Sequence, residues 1–200
     1  VTDDALPEGD VVMDTTSASQ NKNWSWLFEK ASGEHGARGV IRKATNYTPI
    51  TTLDLGKNRG KRGKGWLGNS ATWRENIQSL RTIGHTFRDG TEDNANLVSI
   101  VDEAHALINP EHVEGRGQFG FVVTAGPQAY HITRSSLLSV FLLDPRQGFR
   151  LRENTSIDDL RQWSEELGAG PPIEIDLAGM QFRSAGSTEY VSWVESVLGG

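Results

Sequence analysis

The stretch NLVSIVDEAHALINP, Asn96 to Pro110, decides how the rest of the chain is read. Leu97 to Val101 is mostly apolar and has the short, β-branched character of a strand. It ends on two adjacent carboxylates, Asp102 and Glu103, followed by Ala104 and His105. An apolar strand that stops at paired acids has a physical use in one setting above others. In open parallel sheets, ligand-handling residues sit just past the carboxyl ends of the strands. The competing reading is a strand end that exposes two charges to water.

Working outward from this stretch, strand-like and helix-like segments alternate. GDVVMDTTSASQNKNW reads as a strand running into a polar loop, and NWSWLFEKAS as a short helix. ARGVIRKATNY holds a strand around Val40 and Ile41. Trp73, Ile77 and Leu80 recur at helical spacing, and Gly84 is a stop signal. Beyond Pro110, GQFGFVVTAG is strand-like, GPQAYHITRSSLL suits a helix after Pro127, and SVFLLD reads as a buried strand ending at Asp144. TSIDDLRQWSEELGAGPP is a helix with a capping-box pattern at Ser156 and Asp159. Ile157, Leu160, Trp163 and Leu167 lie along one side, and Gly168 stops it. IEIDLAG predicts a further strand. STEYVSWVESVLGG predicts a final helix, with Ser187 as N-cap and Tyr190, Val191, Val194 and Val197 facing inward. Alternation of this kind means an α/β fold with a mostly parallel sheet flanked by helices. Asp102–Glu103 and Asp144 then share one sheet end.

Composition narrows the function. A chain of 200 residues that is 36% hydrophobic, with six Trp, can bury a core. Twenty basic residues against 26 acidic give a net charge of −6, which argues against wholesale binding of nucleic acid or anionic membrane but leaves room for a local basic site. That site is evident in LGKNRGKRGKGWLGNS, where Lys57, Arg59, Lys61, Arg62 and Lys64 stand among glycines. Without those five charges the chain holds 15 basic against 26 acidic residues, a balance of −11. Residues 55–69 are expected to be a mobile insertion. There is no Cys, hence no disulfide and no thiolate metal site. No apolar run approaches the ~20 residues of a membrane helix. A cytoplasmic home is the expectation.

The acids at 102 and 103 suit the Walker B chemistry of an ATPase: the first carboxylate holds hydrated Mg²⁺ and the second positions or deprotonates the attacking water. The strings VDEAHALINP, GPQAYHITRSS, SVFLLDPRQGFR and QFRSAGSTEYVSWVE together resemble the Schlafen-group-3-like DNA/RNA helicase family, over roughly Val11 to Gly200. The resemblance implies a RecA-like P-loop NTPase core, with ATP and Mg²⁺ as cofactors and DNA or RNA as partner. It assigns Asp102 to the metal, Glu103 to the water, and Gln147 and Arg183 to the terminal phosphate. Gln147 follows Asp144 in a D-x-x-Q pattern like that of superfamily-1 helicases, where Leu143 replaces the usual Gly. Arg183 stands in a Q-x-R pattern with Gln181, and its planar fork is suited to phosphate oxygens. Each has a plain alternative, a β-turn through Asp144–Pro145 and a surface Arg before a helix. Superfamily-2 DEAH proteins share the DEAH string but carry an S-A-T motif that is absent at the matching place. The stretch DTTSASQNKNW, Asp14 to Trp24, sits where such helicases carry motif Ia. There Thr15, Thr16, Ser17 and Asn21 would donate to nucleic-acid phosphates, as would the basic run Lys57 to Lys64; an ordinary polar loop is the alternative.

A phosphate loop, G-x-x-x-x-G-K-[ST], is absent from these 200 residues. NRGKRGK imitates it poorly: Asn58 replaces the first Gly, and Gly65 stands where the metal-binding hydroxyl belongs. The order of motifs places the loop ahead of the motif-Ia-like segment. The expectation is therefore one RecA-like motor domain fragment, residues 1–200, incomplete at its N-terminal side and unable to hold ATP well alone. The alternatives are a catalytically inactive nucleic-acid-binding or interaction module, and a hydrolase built on His105 or His131; no nucleophile elbow supports the last.

Overall fold

Four parallel strands form the sheet: β1 (Asp10–Thr15), β2 (Ile41–Lys43), β3 (Asn96–Val101) and β4 (Ser136–Phe141). Their order is β2-β1-β3-β4, so β3 is flanked on both sides. The computed structural model describes residues 10–32, 41–47, 73, 74, 77, 78, 91–109, 126–144, 155–177, 189, 192, 193, 196 and 197. Three helices are described: α1 (Ala18–Ser32), α2 (Gln128–Arg134) and α3 (Ile157–Glu166). Two units are distinguished, Val1–Gly170 and Pro171–Gly200. The α/β class expected from the alternation is what the first unit shows. Parallel neighbours need crossover connections, and α1 supplies one between β1 and β2.

The register puts Val12 beside Ser99 beside Ser139, and Asp14 beside Val101 beside Phe141. Val12, Asp14, Ser99 and Val101 are all buried. Val101 belongs to a core with Ala104, Leu107, Tyr47, Trp73, Ile77, Ala129, Ile132 and Trp163. Trp73 meets Tyr130 edge-on with ring centroids 4.7 Å apart. A Cβ on Gly126 would lie 2.6 Å from the Trp73 ring, and its φ of +84° is open to glycine at little cost, so this position fits glycine alone. The helices expected around Trp73 and Trp163 exist, and both rings are buried. The capping box of α3 is complete: the Asp159 N–H donates to Ser156 Oγ at 3.1 Å, and the Ser156 N–H donates to Asp159 Oδ2 at 2.9 Å.

Four expectations need correction. The polar stretch after β1 is not a loop to Trp24: α1 begins at Ala18. The cause is a capping box, in which the Gln20 N–H donates to Ser17 Oγ and the Ser17 N–H donates to Gln20 Oε1. Second, the helix after Pro127 stops at Arg134, and Ser136 to Leu138 belong to β4. That strand is not buried: Leu137 and Leu138, successive residues that point to opposite faces, are both exposed, as are Val140 and Leu142. Third, in the second unit, Ile173 and Ile175 are exposed and residues 171–177 join no described strand, contrary to the strand expected in IEIDLAG. Fourth, Val197 is helical but exposed, not inward. Leu80, Gly84, GQFGFVVTA, Ser187, Tyr190, Val191 and Val194 lie outside the described residues. None of the described helices is long and apolar enough to cross a membrane.

Candidate functional site

The carboxyl ends of β1, β3 and β4 are joined by backbone hydrogen bonds. The Asp102 N–H donates to Asp14 O at 3.3 Å, the Leu142 N–H to Val101 O at 2.9 Å, and the Ala104 N–H to Leu142 O at 2.8 Å. To make the last of these, the chain turns sharply after Asp102. Glu103 takes up a left-handed conformation, φ 55° and ψ 45°, before the 3-10 turn Ala104–Ala106. A long, non-glycine side chain rarely sits there, and such positions cluster where function over-determines the backbone. The turn is closed by the Ala106 N–H on Glu103 O (2.9 Å) and anchored below by Thr155 Oγ1, which donates to Leu107 O at 3.0 Å.

Side chains converge on this turn. Trp24 of α1 donates its indole N–H to Asp102 Oδ2 at 3.3 Å. Glu103 Oε2 lies 3.1 Å from His105 Nε2; the imidazole is 5% exposed and the Glu103 side chain 38%. The Asp144 N–H donates to His105 Nδ1 at 3.4 Å. Asp102, Glu103 and Asp144, which the sequence placed at one sheet end, are thus brought together, and His105 stands between two of them.

Three participants were not legible in advance. Trp24 is 78 residues from Asp102 in the chain, and no local pattern links them. Asp14 is fully buried, with no hydrogen bond of ordinary geometry to either carboxylate oxygen. Burial pushes its carboxyl from the ordinary 3.8 up to about 7, against the weaker lowering effects of Tyr47, Arg42 and Ser99. Tyr47, buried beside it, has its hydroxyl pushed up by burial and then by the Asp14 charge. The one sequence signal was an acid directly following the apolar run Val11 to Met13.

Of the residues assigned to nucleic acid, Thr15 is buried and donates to Arg42 O at 3.0 Å. Thr16 donates to Gln20 Oε1 at 2.8 Å, and Ser17 Oγ accepts the Gln20 N–H. The Thr16 and Ser17 hydroxyls therefore serve the β1–α1 turn, and the Thr15 hydroxyl ties β1 to β2. Asn21 lies in the first turn of α1, where its N–H donates to Ser17 O at 3.1 Å. Gln147, Arg183, Lys57, Arg59, Lys61, Arg62 and Lys64 lie outside the described residues. His131 is fully buried in α2, its ring edge-on to Tyr130, with no access to a substrate.

Among the described residues, no group of three or more His, Cys, Asp or Glu side chains could enclose a metal. Mg²⁺ is commonly held by one or two carboxylates together with waters and substrate phosphates, an arrangement that a single carboxylate such as that of Asp102 can fit. Asp102 does not suit an all-protein cage.

The fold and site define a class: a parallel α/β protein whose acidic residues gather at the carboxyl ends of its central strands. The sequence model described as Schlafen group 3, DNA/RNA helicase domain, matches residues 54–200, and the chain belongs to this family. Its helicase-like, nucleic-acid-related character follows from that membership. No curated protein and no solved structure matches the chain.

Proposed function

We propose that this chain is part of an ATP-dependent DNA/RNA motor with a RecA-like core, and that its reaction is centred on the turn after β3. The observation that carries the reading is Glu103, held left-handed beside Asp102 at the end of the central parallel strand. Asp102 would hold Mg²⁺ through its carboxylate, and Trp24 keeps one of that group's oxygens in a fixed orientation. The metal, bound with ATP, would supply charge neutralisation at the phosphates. Glu103 would orient the attacking water and accept its proton. Gln147 and Arg183 would address the terminal phosphate, as the family resemblance implies. Nucleic acid would run past the β1–α1 turn at Thr16–Ser17 and the basic segment Lys57 to Lys64. Since the hydroxyls of Thr15, Thr16 and Ser17 are engaged internally, the backbone and the basic side chains would supply the phosphate contacts.

The test is ATP turnover by the full-length protein, with and without single-stranded DNA or RNA, beside Glu103→Gln. We expect stimulation by nucleic acid and a loss of roughly 10²-fold or more in the variant. Turnover that is equal in both proteins, or absent from both, would instead favour a binding module without hydrolysis.

A further inference from the structure

We propose that His105 is the positioning residue for Glu103, and that it fastens the Glu103 carboxylate to the backbone at the end of β4. The proposal rests on the role given to Glu103 above. Glu103 needs such a fastening. Its side chain is long, 38% exposed, and carried by a residue at the tip of a turn. A water-orienting carboxylate that samples several rotamers loses most of the advantage of proximity.

His105 has the means to hold it. Its ring is 5% exposed and lies in a turn between Ala104 and Leu107, both fully buried, so it has little room to swing. Residues two apart do not face each other on a helix. Here the Glu103 carboxylate lies 3.1 Å from Nε2, a close ion-pair contact that is not lined up as a hydrogen bond in this structure. On the other side, Nδ1 accepts the Asp144 N–H. A neutral imidazole has one donor and one acceptor nitrogen, so acceptance at Nδ1 puts the proton on Nε2, the nitrogen 3.1 Å from the Glu103 carboxylate. Metal-site histidines are oriented by the same logic, with one nitrogen held by the scaffold and the other presented to the working group. The consequence is mechanical as well as local. Asp144 lies three residues before Gln147, so a shift at the end of β4 reaches the Glu103 carboxylate through one ring.

Two readouts test this. Nitrogen-detected NMR of the histidine rings reports the tautomer directly. We expect His105 to carry its proton on Nε2, and its Nε2 resonance to move in Glu103→Gln; a proton on Nδ1 overturns the proposal. In the turnover assay, His105→Phe should lower kcat about tenfold or more at unchanged KM, the range seen when a supporting residue is lost. His105→Gln, which restores an amide N–H near the place of Nε2, should recover most of that rate. Equal losses in both variants at wild-type melting temperature overturn the proposal, as does no loss in either. If His105→Phe does not fold, His105→Gln and the NMR tautomer decide. Turnover lost in Glu103→Gln but untouched in His105→Phe sinks this proposal and leaves the motor reading standing. No turnover in the wild type overturns both.

Discussion

β3 and β4 lie side by side in parallel register, Val98 with Leu138, Ser99 with Ser139, Ile100 with Val140 and Val101 with Phe141. Their sequences, NLVSIV and SLLSVF, share polar residues at the first and fourth positions and apolar residues elsewhere. Their surroundings differ. In β3, Asn96, Ser99 and Val101 are buried; in β4, Leu137, Leu138 and Val140 are exposed and only Ser136 is buried. Two strands of similar pattern thus differ in how their faces are covered: Leu137 and Leu138 point to opposite faces of β4 and both are exposed. Apolar character shows that a strand suits burial. It does not show which neighbour covers it.

The comparison can be broken or sharpened by measurement. The largest effect is expected at Asp14, buried on β1 beside β3. Its folded carboxyl holds a proton more tightly than the unfolded one, about 7 against 3.8. Its contribution therefore favours the fold below about pH 4 and is lost as pH rises through 7. Asp14→Asn should remove that slope and be more stable than wild type above pH 7, by up to about 4 kcal/mol at 1.36 kcal/mol per pH unit. Denaturant unfolding from pH 4 to 8 checks this; parallel curves for the two proteins would show that the acid is better solvated than its burial implies.

Next in size is the strand pair itself. Val101→Ala should cost about 2 kcal/mol through lost burial and a residual cavity, and Val140→Ala less than about 1 kcal/mol. Equal costs would mean that β4 is covered in solution. A smaller effect is expected at the α3 cap, where Ser156→Ala should cost about 1 kcal/mol in a thermal melt. The smallest is at Glu103. Glycine tolerates the left-handed conformation, so Glu103→Gly should be neutral or stabilising by about 1 kcal/mol in a thermal melt, and Glu103→Val destabilising by a similar amount or more. Destabilisation by glycine would show that the Glu103 side chain holds the turn together, and that its backbone is not stored strain.

Local features were legible because their causes are local. The α3 capping box and the Trp163 side of that helix depend on residues within two turns of each other, and both were read from spacing. The Ser17–Gln20 box was equally local, yet it was hidden by the polar character of the residues after it, and α1 was placed too late. Strand-like sequence at 171–177 and in β4 did not reveal exposure, because burial belongs to the partner surface.

By itself, the sequence determined the parallel α/β class, the position of Asp102 and Glu103 at a strand end, and the family. Alternation and motif order are properties of chain neighbours. The tertiary structure alone decided that Trp24 reaches Asp102, that Asp14 is buried and protonated more readily than an ordinary acid, and that His105 stands between Glu103 and Asp144. Each depends on groups brought together by the sheet from distant segments, or on a left-handed turn that β4 imposes on β3, and no spacing along the chain encodes such distances.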